Sequence, residues 1–295
     1  MSDVRASLIP TGDGRRLEVL CSGPADGTPL VFHHGTPMAA VPFGPLVAGA
    51  ARQGLQTVAY SRPGYGDSTA APGRAVADAA ADVEAILDAL GAERFYALGW
   101  SGGGPHALAC AALLGDRCLA AASLAGVAPF QADGLDWYAG MGDENIEEFG
   151  LALEGADRLT PWLEREAGKL ATIQGPEVAD ALGGLVSPID REALTGEFAE
   201  FSARSMRRAL ENGVAGWRDD DLAFARPWGF DLDSLDRPVA VWQGGEDRMV
   251  PFAHGAWLAA HIPLAHVRLH PTEGHLSLGV TRIGEIVADL VSIGA

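Results

Sequence analysis

A serine, a carboxylate and a histidine follow one another along this chain, each just past a short apolar run, and together they could carry out acyl transfer. The serine, Ser101, stands in Gly99-Trp100-Ser101-Gly102-Gly103, after the apolar run Phe95-Tyr96-Ala97-Leu98 and before a run of small residues from Gly103 to Ala109. A G-x-S-x-G spacing between a strand and a helix puts the serine on a tight turn with its hydroxyl exposed. The next backbone N–H, that of Gly102, then opens a helix and can face a developing oxyanion. With 38 glycines in 295 residues a bare match carries little weight. The weight rests on the strand before it and the helix after it.

A serine hydroxyl needs an imidazole to take its proton, and the imidazole needs a carboxylate to fix its tautomer and stabilise the imidazolium. Both follow downstream. Pro238 to Gln243 reads as a strand ending in Gly244-Gly245, with Glu246 and Asp247 just beyond it. Val267 to His270 reads as a further strand, and its loop carries His275 directly after Gly274. The order Ser101, Asp247, His275 is the one expected when three groups sit on loops at one end of a parallel sheet. Singly, each partner is a weak signal, since an aspartate in a turn is usually a cap and a lone histidine usually lies on the surface. Glu246 is the rival acid. Asp247 is favoured because a residue one position off a loop tip points elsewhere.

The elements able to position these groups alternate along the chain, as a parallel sheet with crossovers requires. Residues 17–22, 29–34, 56–61, 94–99, 118–125, 238–243 and 266–270 are predicted strands, and 39–53, 75–90, 102–114, 252–261 and 279–293 predicted helices. In the helix over 75–90, Val83, Ile86, Leu87 and Leu90 form an apolar stripe, Asp78, Asp82 and Glu84 turn outward, and Gly91 marks the end. From residue 129 to residue 235 the alternation gives way to helical patterning, as in Trp162 to Leu170. This segment holds 22 acidic and 9 basic residues, most of the chain's net charge of −18. Its charged faces are expected to be solvated. A minority reading is that Glu144, Glu147, Glu148 or Asp219-Asp220-Asp221 binds a substrate ammonium.

The chain resembles the α/β-hydrolase fold family over its whole length, of the type that includes proline iminopeptidases, esterases and cofactor-free haloperoxidase-like enzymes. Beside the serine turn, the resemblance rests on Leu30-Val31-Phe32-His33-His34-Gly35-Thr36-Pro37, on Ser61-Arg62-Pro63-Gly64-Tyr65-Gly66-Asp67-Ser68, and on the segments around Asp247 and His275. It implies an α/β architecture: a mostly parallel twisted sheet flanked by helices, with a core over 1–128 and 236–295. Residues 129–235 would be a helical cap inserted before the acid-bearing strand. It also implies that the backbone N–H of Thr36 joins that of Gly102 in the oxyanion hole. The Thr36 hydroxyl could add a donor or cap the turn, and the cap is favoured.

The implied function is a serine hydrolase cleaving a small carboxylic ester through an acyl-enzyme. Aspartate nucleophiles mark the dehalogenases and epoxide hydrolases of the family, so Ser101 disfavours those activities. The alternatives are an aminopeptidase of the proline iminopeptidase type, whose elbow usually reads Gly-Gly-Ser-Trp-Gly, and a non-catalytic small-molecule receptor on this scaffold. Trp100, Phe130, Trp137, Tyr138, Trp217 and Trp228 are the candidate walls of a substrate pocket, Trp100 as a wall beneath the serine turn. Acyl-chain length and oligomeric state have no sequence signature.

Composition narrows the partners to a small-molecule substrate. A net charge of −18 argues against nucleic acid and anionic membranes. No G-K-[ST] or G-x-G-x-x-G pattern supports a nucleotide, and no cofactor is expected. His33 and His34 are adjacent, so they leave a strand on opposite faces, and no ligand partner lies near in sequence; no metal is expected. His34 is expected to brace the loop by hydrogen bonding within it, and His106 to be structural. Cys21, Cys110 and Cys118 sit in apolar contexts without C-x-x-C spacing and read as reduced core residues, which suits a cytoplasmic location. The stretch Met1 to Gly12 has no long apolar run of the signal-peptide kind.

Overall fold

Leu55 to Tyr60, Phe95 to Trp100 and Val239 to Gly244 are buried at every position, the pattern of strands covered on both faces. In the computed structural model, which describes residues 4–295, they are inner strands of one eight-stranded sheet. Of the N-terminal stretch read for a signal peptide, residues 1–3 lie outside the described residues. The strands are β1 (Arg5–Pro10), β2 (Arg16–Ser22), β3 (Thr28–His33), β4 (Leu55–Tyr60), β5 (Phe95–Trp100), β6 (Cys118–Leu124), β7 (Val239–Gly244) and β8 (Ala265–His270). Their spatial order is β1-β2-β4-β3-β5-β6-β7-β8. The pairs β1/β2 and β2/β4 are antiparallel, and the rest are parallel.

The helices are α1 (Gly44–Arg52), α2 (Ala79–Leu90), α3 (Gly103–Leu113), α4 (Asp143–Glu154), α5 (Ala156–Leu170), α6 (Val178–Ala181), α7 (Pro188–Ala193), α8 (Gly196–Leu210), α9 (Ala215–Phe224), α10 (Phe252–His261) and α11 (Ser277–Ile293). No helix among the described residues is long and apolar enough to cross a membrane. Helices α4 to α9 form a helical insertion between β6 and β7, and no strand interrupts it.

Three local expectations give way to tertiary context. Strand β1 escapes the hydrophobic pattern because it is an edge strand with only Ile9 buried. The helix predicted from residue 39 starts at Gly44, since Pro42 holds the preceding residue extended, and the backbone N–H groups of Ala39 and Ala40 bond to Ser205 and Ser61 instead. On α2, Asp82 is buried rather than outward, because Arg15 of the β1–β2 hairpin reaches over to it at 2.7 Å. Leu90 in turn is exposed at the helix end. Cys21, Cys110 and Cys118 are free thiols in the core.

Candidate active site

The serine turn is built by close packing around glycines. Ser101 has φ +56°, a left-handed conformation that side chains rarely adopt. It is held there by Ser101 N–H donating to the Leu124 carbonyl and Gly104 N–H donating to the Ser101 carbonyl, both at 2.8 Å. A Cβ on Gly99 would collide with the Gly103 carbonyl, and one on Gly103 with the His33 carbonyl. The glycines therefore let β5, α3 and the end of β3 converge under the serine. Ser101 is half-buried and lines a cavity of about 160 Å³ together with His275, Thr36 and Gly102.

Asp247 and His275 meet as their order predicts. The Nδ1–H of His275 donates to Asp247 Oδ2 at 2.8 Å, and both residues are buried. The carboxylate also accepts from the backbone N–H groups of Met249 and Val250, at 2.9 and 2.8 Å, and from Gln243 at 3.0 Å. Four donors fix its plane. Glu246 is exposed and makes no bond to His275. Burial pushes the Asp247 carboxyl up, with the neighbouring imidazole opposing. Burial pulls His275 down, but the charge and hydrogen bond of Asp247 outweigh it and leave the imidazole above its ordinary value. The hydroxyl of Ser101 makes no hydrogen bond among the described residues.

Thr36 and Gly102 face one another across the cavity floor, so closely that a Cβ on Gly102 would lie 2.5 Å from Thr36 Oγ1. The backbone N–H groups of both have no acceptor among the described residues. The Thr36 hydroxyl does not cap its own turn. It donates to Asp220 Oδ2 of α9 at 2.7 Å and accepts from Arg62 Nη2 at 3.1 Å. Asp220 is the hub of a buried network: Arg62 and Arg74 each reach it at 2.6 Å, and the Tyr65 hydroxyl donates to it at 2.9 Å. Burial would push its carboxyl up, but the two guanidinium groups hold it well below the usual carboxylate range. Arg62 in turn donates to the carbonyls of His34 and Gly35, so the network grips the loop that carries Thr36. Within that loop His34 donates through Nδ1 to the Gly35 carbonyl at 2.7 Å and accepts at Nε2 from the Arg62 N–H, the bracing expected of it. His106 donates to the Gly102 carbonyl at 2.8 Å, and burial brings its pKa down to about 3. Among the described residues no three His, Cys, Asp or Glu side chains are grouped as metal ligands.

The acidic residues of the insertion do not all turn to solvent. Asp219, Asp220, Asp221 and Glu148 are buried. Glu148 accepts from Trp217 Nε1 at 2.6 Å, while neither carboxylate oxygen of Asp221 has a hydrogen-bond donor. Both line the cavity. Burial raises both carboxyls: Glu148 to about 6, with the hydrogen bonds of Asp221 and Trp217 opposing, and Asp221 well above its ordinary value, with the neighbouring Glu148 adding to the burial.

Of the six candidate pocket walls, Trp100 and Trp217 line the cavity. Trp100 also stacks on Phe198 at 5.7 Å and donates to the His275 carbonyl at 3.2 Å. Phe130, Trp137, Tyr138 and Trp228 do not line it. The first three form one aromatic cluster, in which Trp137 also packs against Phe149 and His254, and Trp228 packs at a tilt against Phe230. They join the insertion to the core. Their places on the wall are taken by Phe149, Trp162, Phe198, Phe201, Met206 and Phe224. Sequence offered no way to separate the two groups, since an apolar helix stripe reads alike whether it meets a core or a cavity.

The family model of the alpha/beta hydrolase fold matches residues 28–280. The chain belongs to the alpha/beta hydrolase fold family. The chain is 28% identical to a non-heme chloroperoxidase of Streptomyces lividans over 90% of its own length and 91% of the relative's. It is 30% identical to a bifunctional esterase/perhydrolase of Acinetobacter calcoaceticus over 83% of each. The fold of this alpha/beta hydrolase is shared with a thermophilic esterase from Thermogutta terrifontis, with a TM-score of 0.70 at 20% identity over 98% of this chain and 99% of the other.

Proposed function

We propose that this alpha/beta hydrolase is a serine hydrolase that cleaves a small carboxylic ester through an acyl-enzyme. Ser101 attacks the carbonyl carbon while His275 takes its proton, and Asp247 holds the imidazole in the tautomer that leaves Nε2 free to accept it. The N–H groups of Thr36 and Gly102 receive the oxyanion. His275 then protonates the leaving alcohol, and water repeats the cycle on the acyl-enzyme. The observation that carries this reading is the buried 2.8 Å Asp247–His275 bond opening on the same cavity as Ser101. The Ser101–His275 hydrogen bond is one that forms as substrate binds, since such bonds are often long before it does. Support also comes from a relative whose name includes esterase activity.

A second reading within the same chemistry is favoured by Glu148 and Asp221. Two buried carboxylates on the wall of a cavity that Glu144 and Glu166 also line, beside a single lysine, Lys169, suit a substrate that carries an ammonium group, as an aminopeptidase substrate does. One experiment addresses both. Stoichiometric labelling by a fluorophosphonate and turnover of p-nitrophenyl acetate are expected, with kcat falling on the order of 10⁶-fold in Ser101→Ala. Faster turnover of proline p-nitroanilide than of neutral esters selects the aminopeptidase. Binding of esters with neither labelling nor turnover sinks the hydrolase reading in favour of a receptor.

A further inference from the structure

Asp190 stands in the helix-capping sequence Ser187-Pro188-Ile189-Asp190, yet it is fully buried beside the histidine loop. It lies in the first turn of α7, inside the helical insertion, where Ser187 opens the helix and donates its hydroxyl proton to Asp190 Oδ2 at 2.9 Å. Its remaining acceptor sites reach across to a distant part of the chain. Oδ2 accepts the backbone N–H of His275 at 3.1 Å, and Oδ1 accepts those of Leu276 at 2.7 Å and Ser277 at 2.9 Å. These three consecutive N–H groups run into the first turn of α11, where the helix leaves its donors unpaired and favours a negative charge. The glycine before the histidine has the same cause. Any Cβ on Gly274 would collide with the Asp190 carboxylate, so only glycine lets the two segments meet.

We propose that Asp190 is a positioning residue for His275: it fixes the backbone of the histidine so that the imidazole keeps its bond to Asp247 while pointing at Ser101. The inference rests on the hydrolase reading above. Residues 271–276, between β8 and α11, have no regular structure. A loop left to itself samples many conformations, and a displacement of about 1 Å at a reacting group can cost about 100-fold in rate. Asp247 restrains the ring and Asp190 restrains the main chain, so the two carboxylates act on different degrees of freedom of one residue. The charged groups bearing on the imidazole are Asp247, which outweighs the burial that pulls it down, and Asp190, which acts in the same direction as Asp247. Glu273, on the same loop, is turned away to Ser277 at 2.7 Å and Arg282 at 3.3 Å.

The test is the pH profile of p-nitrophenyl acetate hydrolysis by the full chain and by Asp190→Asn. Loss of a negative charge near the imidazole favours its neutral form, so the acid limb of kcat/KM moves to lower pH. Loss of the backbone restraint lowers kcat about 10- to 100-fold with KM little changed. A purely structural role would lower the unfolding midpoint without moving the limb. A folded Asp190→Asn with the wild-type limb and wild-type kcat overturns the proposal. Should that variant fail to fold, Ser187→Ala, which removes one donor and leaves the carboxylate in place, is expected to lower kcat several-fold; an unchanged kcat there overturns it equally. A wild-type chain that neither turns over the ester nor reacts with a fluorophosphonate defeats the hydrolase reading itself and this role with it, whereas an active wild type beside an unaltered variant defeats Asp190 alone.

Discussion

Asp220 and Asp221 are consecutive residues of α9, both buried, and they live in opposite chemical environments. Asp220 faces the core, where Arg62, Arg74, Tyr65 and Thr36 all direct hydrogen bonds at it. Asp221 faces the cavity, with no donor on either oxygen and Glu148 as its neighbour. The same burial is thus offset on one side of the helix and left standing on the other. A buried charge surrounded by partners holds two segments in place, while buried carboxyls without cations keep a proton and remain available to a ligand. One helix of the insertion thereby grips the Thr36 loop with one residue and shapes the cavity wall with the next.

The largest expected effect comes from breaking the partnered side. Asp220→Ala leaves two buried guanidinium groups without their carboxylate, which costs about 3–5 kcal/mol of unfolding free energy in urea titration. Asp221→Asn is expected to leave stability unchanged or to raise it above pH 6, because an amide has no charge to bury and can donate to Glu148. Equal losses in both variants would erase the contrast.

The pH dependence of stability separates the two sides with opposite signs. Asp220, held below its ordinary 3.8, contributes stability that is present above that value and is lost as pH falls beneath it. Glu148, raised from 4.5 to about 6, holds a proton in the folded chain that the unfolded chain gives up. Its contribution is therefore complete below 4.5 and declines as pH rises through about 6. Urea midpoints measured from pH 3 to 8 should show both slopes, and Glu148→Gln should lessen the upper one, to which Asp221 also contributes, and leave the lower unchanged. The smallest change is Trp217→Phe, which deletes the donor to Glu148. It is expected to cost about 1 kcal/mol and to move the upper decline to higher pH, since the carboxylate form loses its hydrogen bond.

Ser101, Asp247 and His275 were legible because each stands one turn past an apolar strand, and the order of strands and helices around them follows from local periodicity. The Asp247–His275 pairing needed no more than that order. The choice of Asp247 over Glu246 was a statement about which way a turn points; Asp247 is buried against His275 and Glu246 is exposed. The cavity wall was half legible: Trp100 adjoins the serine, but Trp137 and Trp217 look alike along the chain and only one reaches the cavity.

The sequence by itself determined the architecture, the serine turn and the two groups able to serve it, because these depend on neighbours a few residues apart and on the alternation of apolar runs. Only the tertiary structure decided which acidic residues of the insertion are anchors and which face the cavity. Asp190 meets the His275 backbone 85 residues away and Asp220 meets Arg62 158 residues away, contacts that the residues around each aspartate do not announce. Whether a buried charge is compensated is a property of the surrounding space, and the chain specifies that space only once it has folded.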